Sequence, residues 1–518
     1  MSAGTPPFAW EGPVMLTLCI NPADLIQGWH WNGDRYVAGT SWLAPFTHPA
    51  LEHHHYTGPE RTTIVIRERR TDIPPTVTTP EAWDGPIIMV STTPSGRVTI
   101  QTSASVVVPL YTTVDGTGVI HASWDLNDLR GRTPSDRLNE VEVARLLALW
   151  LRYTPATFLD DVVRLTERAT LTIEHGRFRL LFPDDGVHYA PREVQPGADV
   201  IAAFDQLLSE AIEHRVYDPD AVLVEVSGGA DSAQVALSLT ARHPGRLTAA
   251  GMLLPGLIGK QQAFRRDALI TGRFAQDVTV AALPPMHPEG IRATRQTVSP
   301  YEEPYTEATT AMLHAAAAGR QATVWSGIGG DEMLALSSSE RERLPIGHGR
   351  DVNGWLSNKT VALLETADEG LPPVSVVNEM TLLAFGYRAP MMLRANCWPM
   401  HPLADPALIR FGEWLPVQWR RGKRLARARL ERAGFAPEVV HPAVSENFAD
   451  LMRTAITRHV TPWLRLMLAQ GGVLLDCGFI DPDGLTVTLD RIEAGGYVER
   501  DAELFDLLMV EQAAAAFS

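Results

Sequence analysis

The sequence predicts an α/β protein: a β-rich N-terminal sandwich, then a parallel sheet covered by helices, then a helical extension. Three observations predict it. Before residue 190, short β-branched or alternating runs are separated by turn residues. From about residue 200, apolar runs of strand length alternate with helical patterns, as a parallel sheet covered on both faces requires. Two of those runs, Ala221–Val226 and Ala322–Trp325, each feed a glycine-rich loop that contains an acid.

In chain order, strands are expected at Thr63–Arg67, Arg97–Ile100, Ser105–Pro109 and Gly118–His121. Helical spacing covers Glu140–Arg152 and Phe158–Glu167. Thr170–Ile173 and Phe178–Phe182 read as a hairpin across His175-Gly176. Pro191 and Pro196 bracket a boundary at Arg192–Ala198, which gives domains 1–195 and 196–518. A helix over Val200–Val216 follows, then the strand 221–226 and a helix from Ala233 to Leu239. Leu247–Leu254, Val278–Ala281 and Ala322–Trp325 are further strands, with helices at Gln261–Phe274 and Glu307–Ala318 between them. From about residue 352 the pattern is mostly helical.

Composition narrows the function. The 518 residues are 45% apolar, enough for two or three domains with large cores. A formal net charge of −16 argues against nucleic-acid or anionic-membrane partners. Cys19, Cys397 and Cys477 are far apart, with no metal spacing and no disulfide framework, which fits a reducing cytoplasm. The start of the chain lacks the regions of a signal peptide, and no apolar run is long enough to cross a membrane. In Glu52-His53-His54-His55-Tyr56 the consecutive imidazoles point in different directions, so a converging metal site is not expected.

The chemistry concentrates in Ser227-Gly228-Gly229-Ala230-Asp231-Ser232. A glycine loop between a strand and a helix presents unpaired backbone N–H groups and the positive end of the helix dipole to an anion. Gly228 and Gly229 permit close approach, and Ser227 and Ser232 offer hydroxyl donors. Asp231 repels phosphate directly, so its natural role beside a polyphosphate is to hold Mg²⁺. The Lys that follows the last glycine of a Walker loop is missing. Ser326-Gly327-Ile328-Gly329-Gly330-Asp331-Glu332 repeats the logic, and Asp231 and Asp331 are expected to share one Mg²⁺–pyrophosphate.

With both loops in order, the chain resembles the ATP-pyrophosphatase synthetases of the asparagine synthetase type, which include β-lactam synthetases and lasso-peptide macrolactam cyclases. Pro109-Leu-Tyr-Thr112, His121-Ala-Ser-Trp-Asp125, His401-Pro-Leu-Ala-Asp405 and Gly422-Lys423-Arg424 extend the likeness over roughly residues 95–450. The resemblance implies a degenerate glutamine amidotransferase-like N-terminal domain and a synthetase domain that uses ATP and Mg²⁺. It places Ser227, Gly228, Gly229, Asp231 and Ser232 on the pyrophosphate, and Val226, Ser326 and Gly327 near adenine and ribose. Asp231 and Asp331 would hold Mg²⁺, and Lys423 would face the α-phosphate. Glu379 resembles the acid that handles the attacking amine; Tyr387, Arg388 and Glu365 are alternatives. Ile328 stands where β-lactam synthetases carry the Tyr of a Tyr–Glu dyad.

Glutamine-using members expose a cysteine at the mature N-terminus, where this sequence has Ser2, so the amine is expected from the substrate itself. Gly329-Gly330-Asp331 and Ala122-Ser-Trp-Asp125 look most like lasso cyclases. The expected reaction is adenylation of an Asp or Glu side chain of a leader-cleaved core peptide, followed by attack of its N-terminal amine. A leader-binding protein and a leader peptidase are the implied partners, and Arg388, Arg394 and Trp398 are candidates for the peptide pocket. The alternatives are a β-lactam-type synthetase acting on a small amino diacid, asparagine synthetase-like amidation, and a non-catalytic nucleotide-binding partner.

Overall fold

The computed structural model describes residues 15–72, 85–336, 340 and 352–518. Ser2 lies outside them. The N-terminal part holds two antiparallel sheets, of seven and six strands. Their inward residues, among them Leu18, Leu43, Ile66, Val90, Ile100 and Leu171, are buried in one apolar core. The expected strands appear as Thr62–Glu68, Val98–Thr102 and Ile120–Ser123. The hairpin pairs Thr170–Glu174 with Arg177–Leu181, and its turn uses positive φ at His175 (51°) and Gly176 (73°), as a two-residue hairpin loop demands.

Three local expectations fail. The helix expected at Phe158–Glu167 is instead a strand, Val162–Leu165, paired with Leu110–Thr113. Its β-branched Val162-Val163 step suits a sheet, and cross-strand pairing overrides the helical spacing of Phe158, Leu159 and Val162. Ser105–Pro109 forms no strand, although Val106, Val107 and Val108 are buried. The helix begun at Glu140 stops at Leu147 rather than Arg152.

The second part is built on a five-stranded sheet in which every pairing is parallel. The spatial order is Gln276–Ala281, Thr248–Leu253, Val222–Glu225, Ala322–Trp325, Cys397–Met400. The order therefore runs outward in both directions from Val222–Glu225. The point where it reverses lies between that strand and Ala322–Trp325, and open parallel sheets bind ligands in the crevice above such a point. Both glycine loops leave the carboxyl ends of these two strands. Cys397–Met400 is a strand the sequence hides, because four residues containing Pro399 show no period.

The two parts are joined by polar anchors in an apolar seam. Trp398 donates its indole N–H to Glu68 at 2.9 Å, and Arg394 donates to Asp125 (2.8 Å) and Glu302 (2.7 Å). The helical extension packs Phe505, Leu508 and Phe517 on Val143, Leu146 and Phe158. Among the described residues, no helix is long and apolar enough to cross a membrane.

Glu167 makes this architecture sensitive to pH. It is 2% exposed, and burial raises its carboxyl to about 7, against the opposing charge of Arg168. A carboxyl whose pKa is raised on folding contributes stability that is complete below its unfolded pKa and is lost as pH rises through the folded value. Glu167→Gln is therefore expected to match the wild type below pH 4.5 and to exceed it by about 2–3 kcal/mol at pH 8. Urea midpoints at the two pH values check this; parallel pH profiles for both proteins would contradict it.

Candidate functional site

The first loop closes on itself before the helix Ala230–Arg242 begins. The Ser227 and Ser232 hydroxyls are 3.1 Å apart, and the Gly229 N–H donates to Ser227 Oγ at 3.0 Å. Gly228 has φ +92°, a conformation that disfavours a side chain. No side chain caps the helix at Gly229, so its first N–H groups stay available to an anion. Gln262 braces the loop from behind: its amide donates to Ser227 O (3.3 Å) and accepts from Leu254 N (2.9 Å).

The second loop is wedged against the first with no room to spare. A Cβ on Gly327 would lie 2.5 Å from Ser232 N, and one on Gly330 would lie 2.6 Å from Asp231 Cγ. A Cβ on Gly329 would lie 2.9 Å from that of Ala404, so the turn after Cys397–Met400 backs the loop. Ser326 Oγ lies 2.7 Å from His401 Nδ1. Burial pushes the His401 imidazole well below its usual range, with the Arg388 and Arg215 charges adding to the effect, so this ring is a neutral hydrogen-bonding partner. The His401–Asp405 segment thus supports the second loop.

Lys423 joins the two loops. It lies in a left-handed turn (φ +56°) after Gly422 and directly before the helix Arg424–Arg432. A lysine held there marks local strain, which proteins retain mostly at functional positions. Its Nζ is 2.5 Å from Asp231 Oδ2 and 2.7 Å from Asp331 Oδ1. Burial acts to lower the Lys423 ammonium, but the two carboxylates outweigh it and raise it above the usual range. Burial raises the Asp231 carboxyl, and Lys423 only partly offsets that.

The donor set fits a magnesium–polyphosphate. Two carboxylates reach one cation from facing loops, and an uncapped helix N-terminus lies beside them. Two hard oxygen donors are what Mg²⁺ takes from protein when phosphates supply others. Residues 203–368 match the asparagine synthase family. The family so matched is one of ATP-pyrophosphatase, amide-forming carbon–nitrogen ligases that use ATP, typically with Mg²⁺. The match ends before Lys423, whose place in the site rests on the contacts above. No curated protein matches the chain.

The other expected positions fall as follows. Val226 and Ser326 are enclosed, at 0% and 1% exposure, and their N–H groups are bonded to Ala250 O and Met400 O. Gly327 is partly exposed, with its Cβ side against the Ser232 backbone. Glu379 begins the helix Glu379–Arg394 and accepts the Tyr153 N–H at 2.8 Å. Among the described residues, no hydrogen bond or ion pair ties it to Asp231, Asp331 or Lys423. Of its alternatives, Glu365 is exposed on the short 3-10 helix Leu364–Thr366, and burial raises the Tyr387 phenol, which keeps it protonated. Arg388 grips Glu225 with two hydrogen bonds, 2.8 and 2.6 Å. Arg394 and Trp398 do not line a peptide pocket; they are the anchors of the domain seam.

Sequence reasoning missed Glu446, whose Oε1 lies 3.3 Å from the Cβ position of Gly228 and 3.2 Å from Arg265 Nη1. Its segment is docked by Gln261, which makes two hydrogen bonds to the Val444 backbone (2.6 and 3.0 Å). No spacing signals a contact that spans 181 positions.

Proposed function

We propose that the protein is an ATP-dependent, AMP-forming ligase that closes a macrolactam in a leader-cleaved core peptide. The convergence of Asp231, Asp331 and Lys423 carries the first half of this reading. ATP is placed with its β- and γ-phosphates on the Ser227–Ser232 loop. A substrate carboxylate attacks the α-phosphorus, the α–β bridging oxygen leaves with pyrophosphate, and an acyl adenylate remains. Lys423, which pairs with the two aspartates in the structure, would turn to the α-phosphate and neutralise the charge that grows there in the transition state. Mg²⁺ on Asp231 and Asp331 would supply further charge neutralisation for the departing pyrophosphate.

The second half is amide formation. The peptide's own N-terminal amine attacks the adenylated Asp or Glu carbonyl, and AMP leaves. Cys19 supports an amine from the substrate. It is the one cysteine of the N-terminal part, it lies in the strand Thr17–Ile20, and burial raises its thiol, so it is not an activated glutamine-cleaving nucleophile. Glu379 is assigned to take the amine proton through the oxygen not engaged by Tyr153. The SGIGGDE loop and the Ala122–Asp125 segment favour the lasso-type peptide over a small amino diacid. A leader-binding protein and a leader peptidase complete the proposed pathway.

The test incubates the protein with Mg·ATP and synthetic core peptides that carry a free N-terminal amine and one internal Asp or Glu. The expected products are AMP, pyrophosphate and a peptide lighter by one water. ADP and phosphate, or dehydration of small amino diacids alone, would contradict the peptide reading.

A further inference from the structure

We propose that Arg388 is a positioning residue that sets the two glycine loops against each other. The inference rests on the ligase reading of the site and adds a residue outside both loops.

Arg388 reaches the central strand of the parallel sheet. It donates two hydrogen bonds to Glu225, at 2.8 and 2.6 Å, one to each carboxylate oxygen. This bidentate fork fixes orientation as well as distance. Glu225 is the last residue of the strand Val222–Glu225, and Ser227 opens the first glycine loop two positions later. The Arg388 Nε lies 3.4 Å from Glu303 Oε2, and the other Glu303 oxygen accepts from Thr309 Oγ1 at 2.6 Å. The Glu303 N–H donates to Tyr387 O at 3.2 Å, so this second carboxylate is held beside the same turn of helix.

The helix Glu379–Arg394 also reaches the second loop. Phe385, three positions before Arg388, stacks on His401 with ring centroids 4.5 Å apart and planes 12° from parallel. His401 Nδ1 lies 2.7 Å from Ser326 Oγ, which accepts the Ile328 N–H at 3.2 Å. Both ends of the helix are fastened to the N-terminal part, Glu379 to the Tyr153 N–H (2.8 Å) and Arg394 to Asp125 (2.8 Å). One anchored body therefore touches the base of each loop. The loops have no slack to absorb a shift, since a Cβ on Gly327 would collide with the Ser232 backbone. A shift of about 1 Å in catalytic groups costs roughly 10²-fold in rate. Arg388 supplies the polar half of this alignment, and Phe385 with His401 supplies the other.

AMP formation from Mg·ATP and core peptide is to be measured on the full-length protein, together with Mg·ATP affinity and melting temperature. The variants are Arg388→Lys, Arg388→Met and the double variant Arg388→Met/Glu225→Leu. Arg388→Met strands the Glu225 carboxylate and is expected to melt several degrees lower. The double variant removes that stranded charge and is expected to melt near wild type. Its kcat is nonetheless expected to be about 10²-fold low, with Mg·ATP affinity within about threefold of wild type. Arg388→Lys keeps the charge but not the fork and is expected to lose about tenfold in kcat. A double variant whose kcat recovers with its stability would show a purely structural role and overturn the proposal, as would wild-type kcat in Arg388→Lys. Wild-type protein that forms no AMP would instead overturn the ligase reading on which the proposal stands.

Discussion

Asp231→Asn is expected to reduce pyrophosphate release by about 10³-fold, roughly 4 kcal/mol of transition-state stabilisation, while the protein stays folded. The asparagine fills the same volume against Gly330, so the facing loops keep their packing. What disappears is the charge. Lys423 loses its closest carboxylate, at 2.5 Å, and the two-aspartate grip on a cation becomes a single one. Burial already raises the Asp231 carboxyl, so its ionised form is held at some cost to the fold, and neutralising it costs little stability. A melting curve and a pyrophosphate assay on the same preparation check both halves. Full turnover in Asp231→Asn would remove this residue from the mechanism.

Gly327→Ala is expected to be nearly as damaging through a different cause. The new Cβ would meet Ser232 N at 2.5 Å, Asp231 C at 2.8 Å and Ser232 Cα at 3.0 Å. All three are backbone atoms, so no rotamer change relieves the contact and the loops must separate. Overpacking of this kind costs about 1–3 kcal/mol of stability. A shift of about 1 Å in catalytic groups costs roughly 10²-fold in rate. Gly116→Ala, where a Cβ meets nothing within 4 Å, is the control and is expected within about 0.5 kcal/mol of wild type. Chemical denaturation together with ATP turnover separates the two variants. Equal behaviour of both would contradict the close docking of the loops.

The site was legible in the sequence wherever chemistry depends on local order. Ser227–Ser232 and Ser326–Glu332 each pair a strand end with glycines and an acid, and the reversal of strand order puts them face to face. Lys423 was legible only through resemblance, since a lysine in a basic run carries no signature of its left-handed turn. The expectation of a peptide pocket around Arg394 and Trp398 failed because the N-terminal sandwich covers them. Glu68 and Asp125, more than 260 positions upstream, claim their donors. Val162–Leu165 shows the same limit in local structure, where a partner strand, Leu110–Thr113, decides what spacing alone leaves ambiguous.

A structure of the protein soaked with Mg²⁺ and α,β-methylene-ATP tests the central claim most directly. The expected result is one nucleotide whose terminal phosphates rest on the Ser227–Ser232 loop, with Asp231 and Asp331 on one cation and Lys423 turned to the α-phosphate. A nucleotide that touches only one of the two loops, or that lies away from both, would contradict it.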